Sequence, residues 1–245
     1  IRYFYKSNSG IADSLNFGLS MCNGQWIARL DSDDLCQPNR FRKQLELVQK
    51  SPKIGLVGSA ALFIDSNDNN LYKYHYPASH KELVNNLLNS KAFFPHSSAF
   101  FNKQLVEYIG GYRVRLTGSE DWDLWLRISE HAEIKCLNNP LVKIRLHENQ
   151  LTKNDFELKQ TFYDSKAAIV CYWLRKNKEI DPVTDFSEKD FILFKSFIFK
   201  KLADSYLDQY IYFINKIKNP SIKRIILPFL ILKFLLRPKV IFWFI

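Results

Sequence analysis

Three carboxylates that follow a short apolar run are the residues of this chain best suited to metal chemistry. The run is Trp26 to Leu30, and Asp31, Asp33 and Asp34 come directly after it. Two aspartates two positions apart share one side of an extended segment. Hard oxygen ligands on one side suit Mg²⁺ or Mn²⁺, which keeps other positions for water and a substrate phosphate. The alternative is a polar strand-to-helix turn with an aspartate as helix cap.

A second acidic pair, Glu120 and Asp121, follows Ser119 and opens an amphipathic stretch that runs to Ile128. The pattern predicts a helix with both acids in its first turn. Negative side chains there interact favourably with the helix dipole, and this is sufficient on its own to explain the pair. A second site and a simple helix start therefore both remain open for these residues.

The elements that must position these acids alternate between strands and helices. Residues 1–5 and 26–30 predict strands, the second of them buried, and residues 11–22 and 39–50 predict helices, the last one opened by Pro38. This order predicts a βαβ unit with a parallel sheet. Because ligands bind beyond the carboxyl ends of strands in open α/β sheets, we expect the acidic loop at the mouth of a site.

The rest of the chain continues this alternation and then becomes helical. Ser79 and Glu82 form the ends of a capping box, which predicts a helix to Asn89. Further strands are predicted at residues 54–64, 71–76, 93–101, 134–137 and 142–146, and further helices at 103–109, 156–178, 191–215 and 222–244.

Positive charge is concentrated near the C-terminus. The net charge is +10, and residues 187–245 hold eleven Lys/Arg and four Asp/Glu, which gives +7 there. This asymmetry predicts an anionic partner for the tail. Basic residues among aromatic and leucine side chains in 222–244 favour a helix lying on a membrane surface, whereas a packing or oligomer contact is the alternative. RNA-binding signatures are absent, so no nucleic-acid partner is expected.

Four cysteines, Cys22, Cys36, Cys136 and Cys171, show neither a metal-type spacing nor a small-protein disulfide framework. They are typical of a reducing compartment, in which most cysteines are small buried hydrophobic residues. No signal peptide is visible, and the chain begins at Ile1 inside a strand-like run. We therefore expect a cytoplasmic protein whose start is missing.

Several short motifs together resemble those of a family 2 glycosyltransferase with the A-type fold. A single motif of this kind is weak, whereas the ordered set is specific. The motifs cover about residues 1–152 in the family's order: Asn8-Ser-Gly-Ile-Ala12, Ser14-Leu-Asn16-x-Gly18, Leu30-Asp-Ser-Asp-Asp34 with Pro38 and Arg40, His96 before a strand, Gly110-Gly-Tyr112, Glu120-Asp121-x-Asp-Leu-Trp125-Leu-Arg127, and Arg145-x-His147.

The resemblance implies an α/β fold: a Rossmann-like, mixed and mostly parallel sheet of the glycosyltransferase A type that lacks its first two strands, plus a C-terminal helical region. It implies a catalytic domain at residues 1–152, and we expect a helical connector at 153–186 and a basic, aromatic tail at 187–245. The missing units carry the turns that hold the nucleotide in this family. Their absence would leave Trp26 to Leu30 with an open edge and make the chain poorly stable alone.

The resemblance also implies roles for the acidic residues. Asp31 and Asp33 would hold a divalent metal, Mn²⁺ or Mg²⁺, that bridges the diphosphate of a nucleotide sugar. Asp34 and Arg40 belong to the same donor-binding set. His147 would approach the metal or the diphosphate, although a polar residue at a strand end is the alternative reading of this histidine.

For the second acidic site, the resemblance implies that Asp121 is the catalytic base and that Glu120 orients the acceptor or the loop. One base without a second carboxylate nucleophile implies inversion by single displacement. Trp122 and Trp125 could stack on a sugar, although the helical spacing of Trp125 favours the core.

The implied function is transfer of a sugar from a nucleotide-diphosphate sugar to a hydroxyl of a glycan or lipid-linked acceptor. By analogy with the family, this would serve cell-envelope polysaccharide synthesis at the inner face of the membrane. The alternatives are an inactive, truncated transferase and a non-catalytic membrane-surface module. A nucleotidyltransferase is disfavoured because no glycine-rich phosphate loop precedes the aspartates.

Overall fold

A six-stranded mixed sheet forms the centre of the protein, of which the computed structural model describes residues 1–147 and 155–203. The strand order is β1-β5-β3-β6-β2, with β4 paired to β3. The strands are β1 Trp26–Ala28, β2 Leu35–Cys36, β3 Ile54–Ile64, β4 Asn70–Tyr74, β5 Phe100–Asn102 and β6 Glu133–Arg145. β3 is almost entirely buried, which explains its continuous run of small and apolar residues.

Most of the described helices fall where the sequence pattern predicts them, whereas the short helix at Pro182–Asp185 was not predicted. Ser79 begins the third helix by accepting a hydrogen bond from the backbone N–H of Glu82, which confirms the predicted N-cap. The described helices are α1 Ile11–Met21, α2 Arg40–Gln49, α3 His80–Leu88, α4 Lys103–Tyr108, α5 Glu120–His131, α6 Asp155–Lys176, α7 Pro182–Asp185 and α8 Glu188–Ala203.

The pairing of the strands differs from the expected mostly parallel sheet. Among the described pairs, only β3 and β6 run parallel, while β1–β5, β2–β6, β3–β4 and β3–β5 are antiparallel. The mixed α/β character is confirmed, and the predominance of parallel pairing is wrong. Two short strands supply antiparallel partners: β4 follows β3 in a hairpin, whereas β2 pairs with β6, about 100 residues later in the chain.

β6 is one strand, although two were predicted on either side of residues 138–141. The register against β3 shifts between Ser59 and Ala60, whose partners are Leu137 and Pro140. The Asn-Asn-Pro sequence therefore forms a bulge rather than a turn, and the strand continues beyond it. In this way β6 delivers Arg145 to the level of Ile64 at the end of β3.

The first residues of the chain do not form the predicted strand. Residues 1–10 have no regular structure, and Tyr3 and Tyr5 are exposed. A strand needs a neighbour to pair with, and β-propensity alone does not supply one. The prediction that Trp26 to Leu30 is buried is also wrong, because β1 pairs with β5 alone among the described strands and is half-buried. The expected open edge at β1 is confirmed.

The strand predicted at residues 93–101 is shorter than expected. A 3-10 turn covers His96–Ser98, and only Phe100–Asn102 forms β5. The backbone carbonyl of Pro95 accepts from the N–H and the hydroxyl of Ser98, so the polar segment hydrogen-bonds locally instead of joining the ladder.

The chain divides into two units, residues 1–161 and 162–245. In the described part of the second unit, Phe191, Phe194 and Phe197 of α8 are buried. Within residues 1–147 and 155–203, no helix has the length and apolar character required to cross a membrane. The predictions for residues 204–245, including the helix at 222–244, lie outside the described residues, and the boundaries at 152 and 186 stay predictions.

Candidate active site

The acidic loop between β1 and β2 is held at its centre by Ser97, which is only 1% exposed. The Ser97 hydroxyl donates to Oδ2 of Asp31 at 2.8 Å, accepts from the N–H of Asp31 at 3.0 Å, and also contacts Oδ2 of Asp34. A donor from the 3-10 turn thus joins two carboxylates of the loop. The role of Ser97 in holding the acidic loop was not predicted, because a serine by itself gives no local signal in the sequence.

Asp34 does not face outward with the other aspartates. It is 8% exposed, and its Oδ1 accepts from the backbone N–H of Arg145 at 2.9 Å. Burial raises the pKa of Asp34 above its ordinary value, despite the hydrogen bond from Ser97. In this structure the Asp34 carboxylate ties the loop to β6. Its role in the donor-binding set stays a prediction.

Asp33 is the aspartate that meets a second candidate metal ligand. Its Oδ2 lies 3.0 Å from Nε2 of His147, and both side chains are partly exposed. The backbone carbonyl of Asp33 accepts from Nε of Arg145 at 3.0 Å. The Arg145-x-His147 pattern at the end of β6 thus lies beside the acidic loop, and the role of His147 at a metal or diphosphate stays a prediction.

Arg40 was expected in the donor-binding set, but it lies inside the fold. It is 1% exposed, and its Nη2 donates to the carbonyls of Arg29 and Ala99 at 2.8 and 2.9 Å. Its Nε donates to Gln44, which in turn donates to carbonyls of β3 and the 3-10 turn. The guanidinium of Arg40 therefore braces the backbone beneath the loop, and its role in donor binding stays a prediction.

The first turn of α5 presents Glu120 and Asp121 with few hydrogen-bond donors. Glu120 is 7% exposed, and burial together with the charge of Asp121 raises its pKa to about 8. Burial also raises the pKa of Asp121, although the backbone N–H of Trp122 donates to its Oδ1 at 2.6 Å. Two neighbouring carboxyl groups with raised pKa values are suited to exchanging a proton near neutral pH.

Arg29 connects the two acidic sites. Its guanidinium forms an ion pair with Asp31, and its side chain is 11% exposed. Burial would raise the pKa of Asp31, but the hydrogen bond and charge of Arg29 outweigh it, and the pKa lies below the ordinary value. The charges of Arg29 and Asp31 also act on the pKa values of Glu120 and Asp121. The structure therefore brings both acidic sites into one electrostatic neighbourhood.

Three ring side chains, His96, Tyr112 and Trp125, pack together, and the charge of Arg29 acts on the first two. Nε2 of His96 lies 2.9 Å from the Tyr112 hydroxyl, and burial lowers the pKa of His96 to about 3, so this imidazole is neutral. Trp125 packs edge-on against His96 and is 1% exposed, which agrees with the core reading of this tryptophan. Burial, followed by the charge of Asp121, raises the pKa of Tyr112.

The start of α5 is fixed from below by a buried ion cluster. Asp123 is fully buried and accepts from Nε of Arg113 at 2.8 Å and from Nε of Arg127 at 2.9 Å. Arg127 also donates to the carbonyls of Ile109 and Gly111. Such a cluster is costly to break, so it holds the first turn of α5 in one orientation.

The side chain of Asn16 in α1 holds the backbone of Tyr112, which lies in the segment between α4 and α5. Its side chain donates to the carbonyl of Tyr112 and accepts from the N–H of Tyr112, both at 2.8 Å. Gly111 adopts φ +66°, and a Cβ there would lie 2.6 Å from Oδ1 of Asn16. The glycine is therefore required both by its backbone conformation and by the approach of α1.

The residues around Asp33 fit a divalent cation in type but do not form a complete coordination shell. Asp33 and His147 offer oxygen and nitrogen, while Oδ2 of Asp31 is engaged by Arg29 and Ser97. Within residues 1–147 and 155–203, no group of three or more His, Cys, Asp or Glu side chains converges on one point. An incomplete set suits Mg²⁺ or Mn²⁺, which retains water and substrate phosphate as further ligands.

Arg29 is a residue that sequence reasoning passed over although a signal was present. It is a charged side chain inside the strand-like run Trp26 to Leu30, two positions before Asp31. A charge at such a position is seldom buried unless it is paired, so a nearby carboxylate partner could have been predicted. Ser97 lacked such a signal because its partners Asp31 and Asp34 are remote in sequence.

Comparison with known proteins gives the same family as the sequence motifs. The model of glycosyl transferase family 2 matches residues 1–110, which include the acidic loop and end before Glu120. The amylovoran biosynthesis glycosyltransferase AmsE of Erwinia amylovora is 32% identical over 149 residues, which cover 60% of this chain and 55% of that protein. The O-antigen biosynthesis glycosyltransferase WbnJ of Escherichia coli is 32% identical over 148 residues, with coverages of 58% and 55%. The chain spans about half the length of these relatives.

A solved structure with a TM-score above 0.5 allows the folds to be compared. The crystal structure of S. aureus TarS 1-349, determined in complex with UDP-GlcNAc, has a TM-score of 0.52 and 14% sequence identity. The match covers 86% of this chain and 61% of that one. The similarity confirms the expected fold of the glycosyltransferase A type.

Proposed function

We propose that this chain, whose residues 1–110 match the model of glycosyl transferase family 2, transfers a sugar from a nucleotide-diphosphate sugar to a hydroxyl of a glycan or lipid-linked acceptor. The observation that carries this proposal is the shared neighbourhood of Asp31 and Asp121 around Arg29. A transferase of this type needs one group to accept a proton and another set to handle a leaving diphosphate. The lowered pKa of Asp31 suits the handling of the diphosphate, and the raised pKa of Asp121 suits the acceptance of a proton.

Asp121 is the proposed base. Its position in the first turn of α5 and its raised pKa suit a carboxylate that accepts a proton from an acceptor hydroxyl. Glu120 shares the desolvated environment and orients the acceptor or the loop. With one base and no separate carboxylate nucleophile assigned, the proposed reaction is a single displacement with inversion at the anomeric carbon.

The acidic loop is the proposed donor end of the site. Asp33 and Asp31, with His147 beside Asp33, are the residues that would hold Mn²⁺ or Mg²⁺. A bound divalent cation would offset the negative charge that develops on the leaving diphosphate. Ser97 and Arg145 keep the loop in place while the donor binds and leaves. This assignment is supported by the chemistry of the donor set and by the contact between Asp33 and His147.

The names of the relatives support a role in cell-envelope polysaccharide synthesis, since one is an amylovoran and another an O-antigen biosynthesis glycosyltransferase. Work on a lipid-linked acceptor would place the protein at the inner face of a membrane. The basic tail, residues 187–245, is the proposed contact with that surface, based on its +7 charge. Binding to anionic liposomes with and without residues 222–245 would test this part separately.

Titration calorimetry with UDP- and GDP-sugars, in the presence and absence of Mn²⁺, tests the donor end directly. We expect at least one sugar nucleotide to bind with Mn²⁺ and to bind more weakly after Mn²⁺ is removed. Asp33→Asn should weaken the Mn²⁺-dependent binding by about 10–100-fold, because a neutral amide is a poorer ligand.

Asp13→Asn is the matched control, since the Asp13 side chain on α1 is half exposed and pairs with Lys6 rather than with a residue of the acidic loop. Binding that is equally strong in Asp33→Asn and in the wild type would contradict the metal assignment. No binding of any UDP- or GDP-sugar by the wild type would contradict the proposed donor class.

A further inference from the structure

The hairpin β3–β4 carries a row of aromatic side chains that the proposed chemistry does not use. The aromatic row consists of Phe63, Tyr72, Tyr74 and Tyr76. Phe63 lies opposite Tyr72 in the ladder, and their rings stack with centroids 4.7 Å apart and an interplanar angle of 17°. Tyr74 and Tyr76 follow two and four positions later, with ring centroids 4.9 Å apart. Side chains at this spacing share one face of a strand.

Two members of the aromatic row are open to solvent. Tyr72 is 49% exposed and Tyr74 is 43% exposed, whereas Tyr76 is 8% exposed and anchors the row in the core. The two exposed hydroxyls have no hydrogen-bond partner among residues 1–147 and 155–203. Lys73 lies between the two tyrosines and therefore projects to the opposite face. The exposed part of the aromatic row thus offers flat apolar rings and hydroxyl groups without a charged residue between them on that face.

The tip of this hairpin is attached to the acidic loop through Arg145. Its Nη1 donates to the carbonyl of Asp65 at 3.1 Å, its Nη2 pairs with Asp68 at 2.6 Å, and its Nε reaches the carbonyl of Asp33 at 3.0 Å. Arg145 is also the ladder partner of Ile64, the residue next to Phe63. The aromatic row therefore begins one residue from a side chain that touches the proposed donor site.

We propose that the aromatic row is a binding subsite for neutral sugar units of the acceptor glycan. The inference rests on the proposed function, since it takes a glycan to be the acceptor. Tyrosine offers an apolar ring with a polar hydroxyl, which matches the C–H face and the hydroxyl groups of a sugar ring. A glycan bound along Tyr74 and Tyr72 would lead toward the hairpin tip and the acidic loop.

A sugar chain fits this surface better than a protein partner. A typical protein–protein interface uses roughly 20–30 residues on each side, whereas the exposed part of the aromatic row consists of two tyrosines and a half-buried phenylalanine. A nucleic acid or an anionic lipid would call for basic residues on the same face, and Lys73 is on the other one. Because the hairpin tip is attached to the acidic loop, a glycan bound along the aromatic row would lead toward the proposed donor site.

Binding of the intact chain to an array of immobilised bacterial O-antigen and capsular oligosaccharides tests the proposal without requiring turnover. We expect the wild type to bind at least one glycan, and Tyr72→Ala with Tyr74→Ala to weaken that binding by roughly tenfold for each ring removed. The double Tyr→Phe variant retains the rings and should fall between the wild type and the alanine variant.

Tyr108→Ala is the matched control, because Tyr108 is a 79% exposed tyrosine on α4 outside the hairpin. Calorimetry with sugar nucleotides separates this proposal from the proposed function: the double alanine variant should bind the donor as the wild type does while its glycan binding is weakened. Absence of glycan binding by the wild type, or equal binding by the double alanine variant, would overturn the subsite. The subsite would also be overturned if the double alanine variant bound glycan as the wild type does but differed from it in oligomeric state by sedimentation velocity. The aromatic row would then be a contact between copies of the chain.

Discussion

The acidic loop and the first turn of α5 both place carboxylates near Arg29, but the protein treats the two groups differently. In the loop, Asp31 has an ion pair and a hydroxyl donor, and its pKa lies below the ordinary value. At α5, Glu120 and Asp121 are desolvated and close to each other, and both pKa values are raised. One region is built to keep negative charge, and the other to hold or release a proton.

The largest effect is expected at Asp121, the proposed base. Asp121→Asn removes the proposed base and should lower turnover by about 10²–10⁴-fold, while the affinity for the sugar nucleotide stays near that of the wild type. The measurement is steady-state transfer with the donor found by calorimetry. If Asp121→Asn retains wild-type turnover, proton transfer does not depend on this region and the comparison fails.

A smaller effect is expected from loosening the acidic loop. Ser97→Ala leaves carboxyl oxygens of Asp31 and Asp34 without their shared donor, which should cost about 1–3 kcal/mol of folding free energy. For a chain of this size the thermal midpoint should fall by about 2–4 °C per kcal/mol. Ser129→Ala is the control, because the described bond of that hydroxyl is to a carbonyl of its own helix. Equal midpoints for the two variants would show that Ser97 does not secure the loop.

The smallest effect concerns the dependence of stability on pH. The pKa of Glu120 is raised from 4.5 to about 8, so its protonated form is favoured by folding. That contribution is complete below pH 4.5 and is lost as the pH rises through about 8. Glu120→Gln cannot ionise, so the midpoint of the variant relative to the wild type should be higher at pH 9 than at pH 5.

Glu107→Gln serves as the control for this measurement, because the Glu107 side chain is half exposed and lies on α4. Its midpoint relative to the wild type should be the same at both pH values. A difference for Glu120→Gln that does not vary with pH would show that Glu120 is solvated in the folded state, and the contrast with the acidic loop would then be lost.

Local signals in the sequence were sufficient for the helices and for the acidic sites. The capping box at Ser79 and Glu82 and the helical spacing from Ile11 predicted α3 and α1 because neighbouring residues decide these features. Residues 1–5 had an equally clear strand composition, but a strand exists only when another strand pairs with it. The antiparallel partners of β1 and β2 were not predictable, since they lie far along the chain.

The candidate site shows the same division between local and remote information. The types and spacing of Asp31, Asp33 and Asp121 were enough to single them out. The different positions of Asp33, which meets His147, and Asp34, which is buried under Arg145, depend on contacts more than 100 residues apart. Arg40 has the composition of a ligand-binding residue, and only its burial distinguishes a brace from a contact with substrate.

The clamp between Asn16 and the backbone of Tyr112 has a consequence for the order in which the protein can assemble. The two residues are 96 positions apart. At roughly 5–20 residues per second, Tyr112 is synthesised about 5–20 s after Asn16. During that interval α1 lacks this partner, and Leu19, which is buried in the finished fold, has no completed core to enter. On the nascent chain, α1 is therefore without this partner for that time, and its apolar side is available to chaperones or to other unfolded chains.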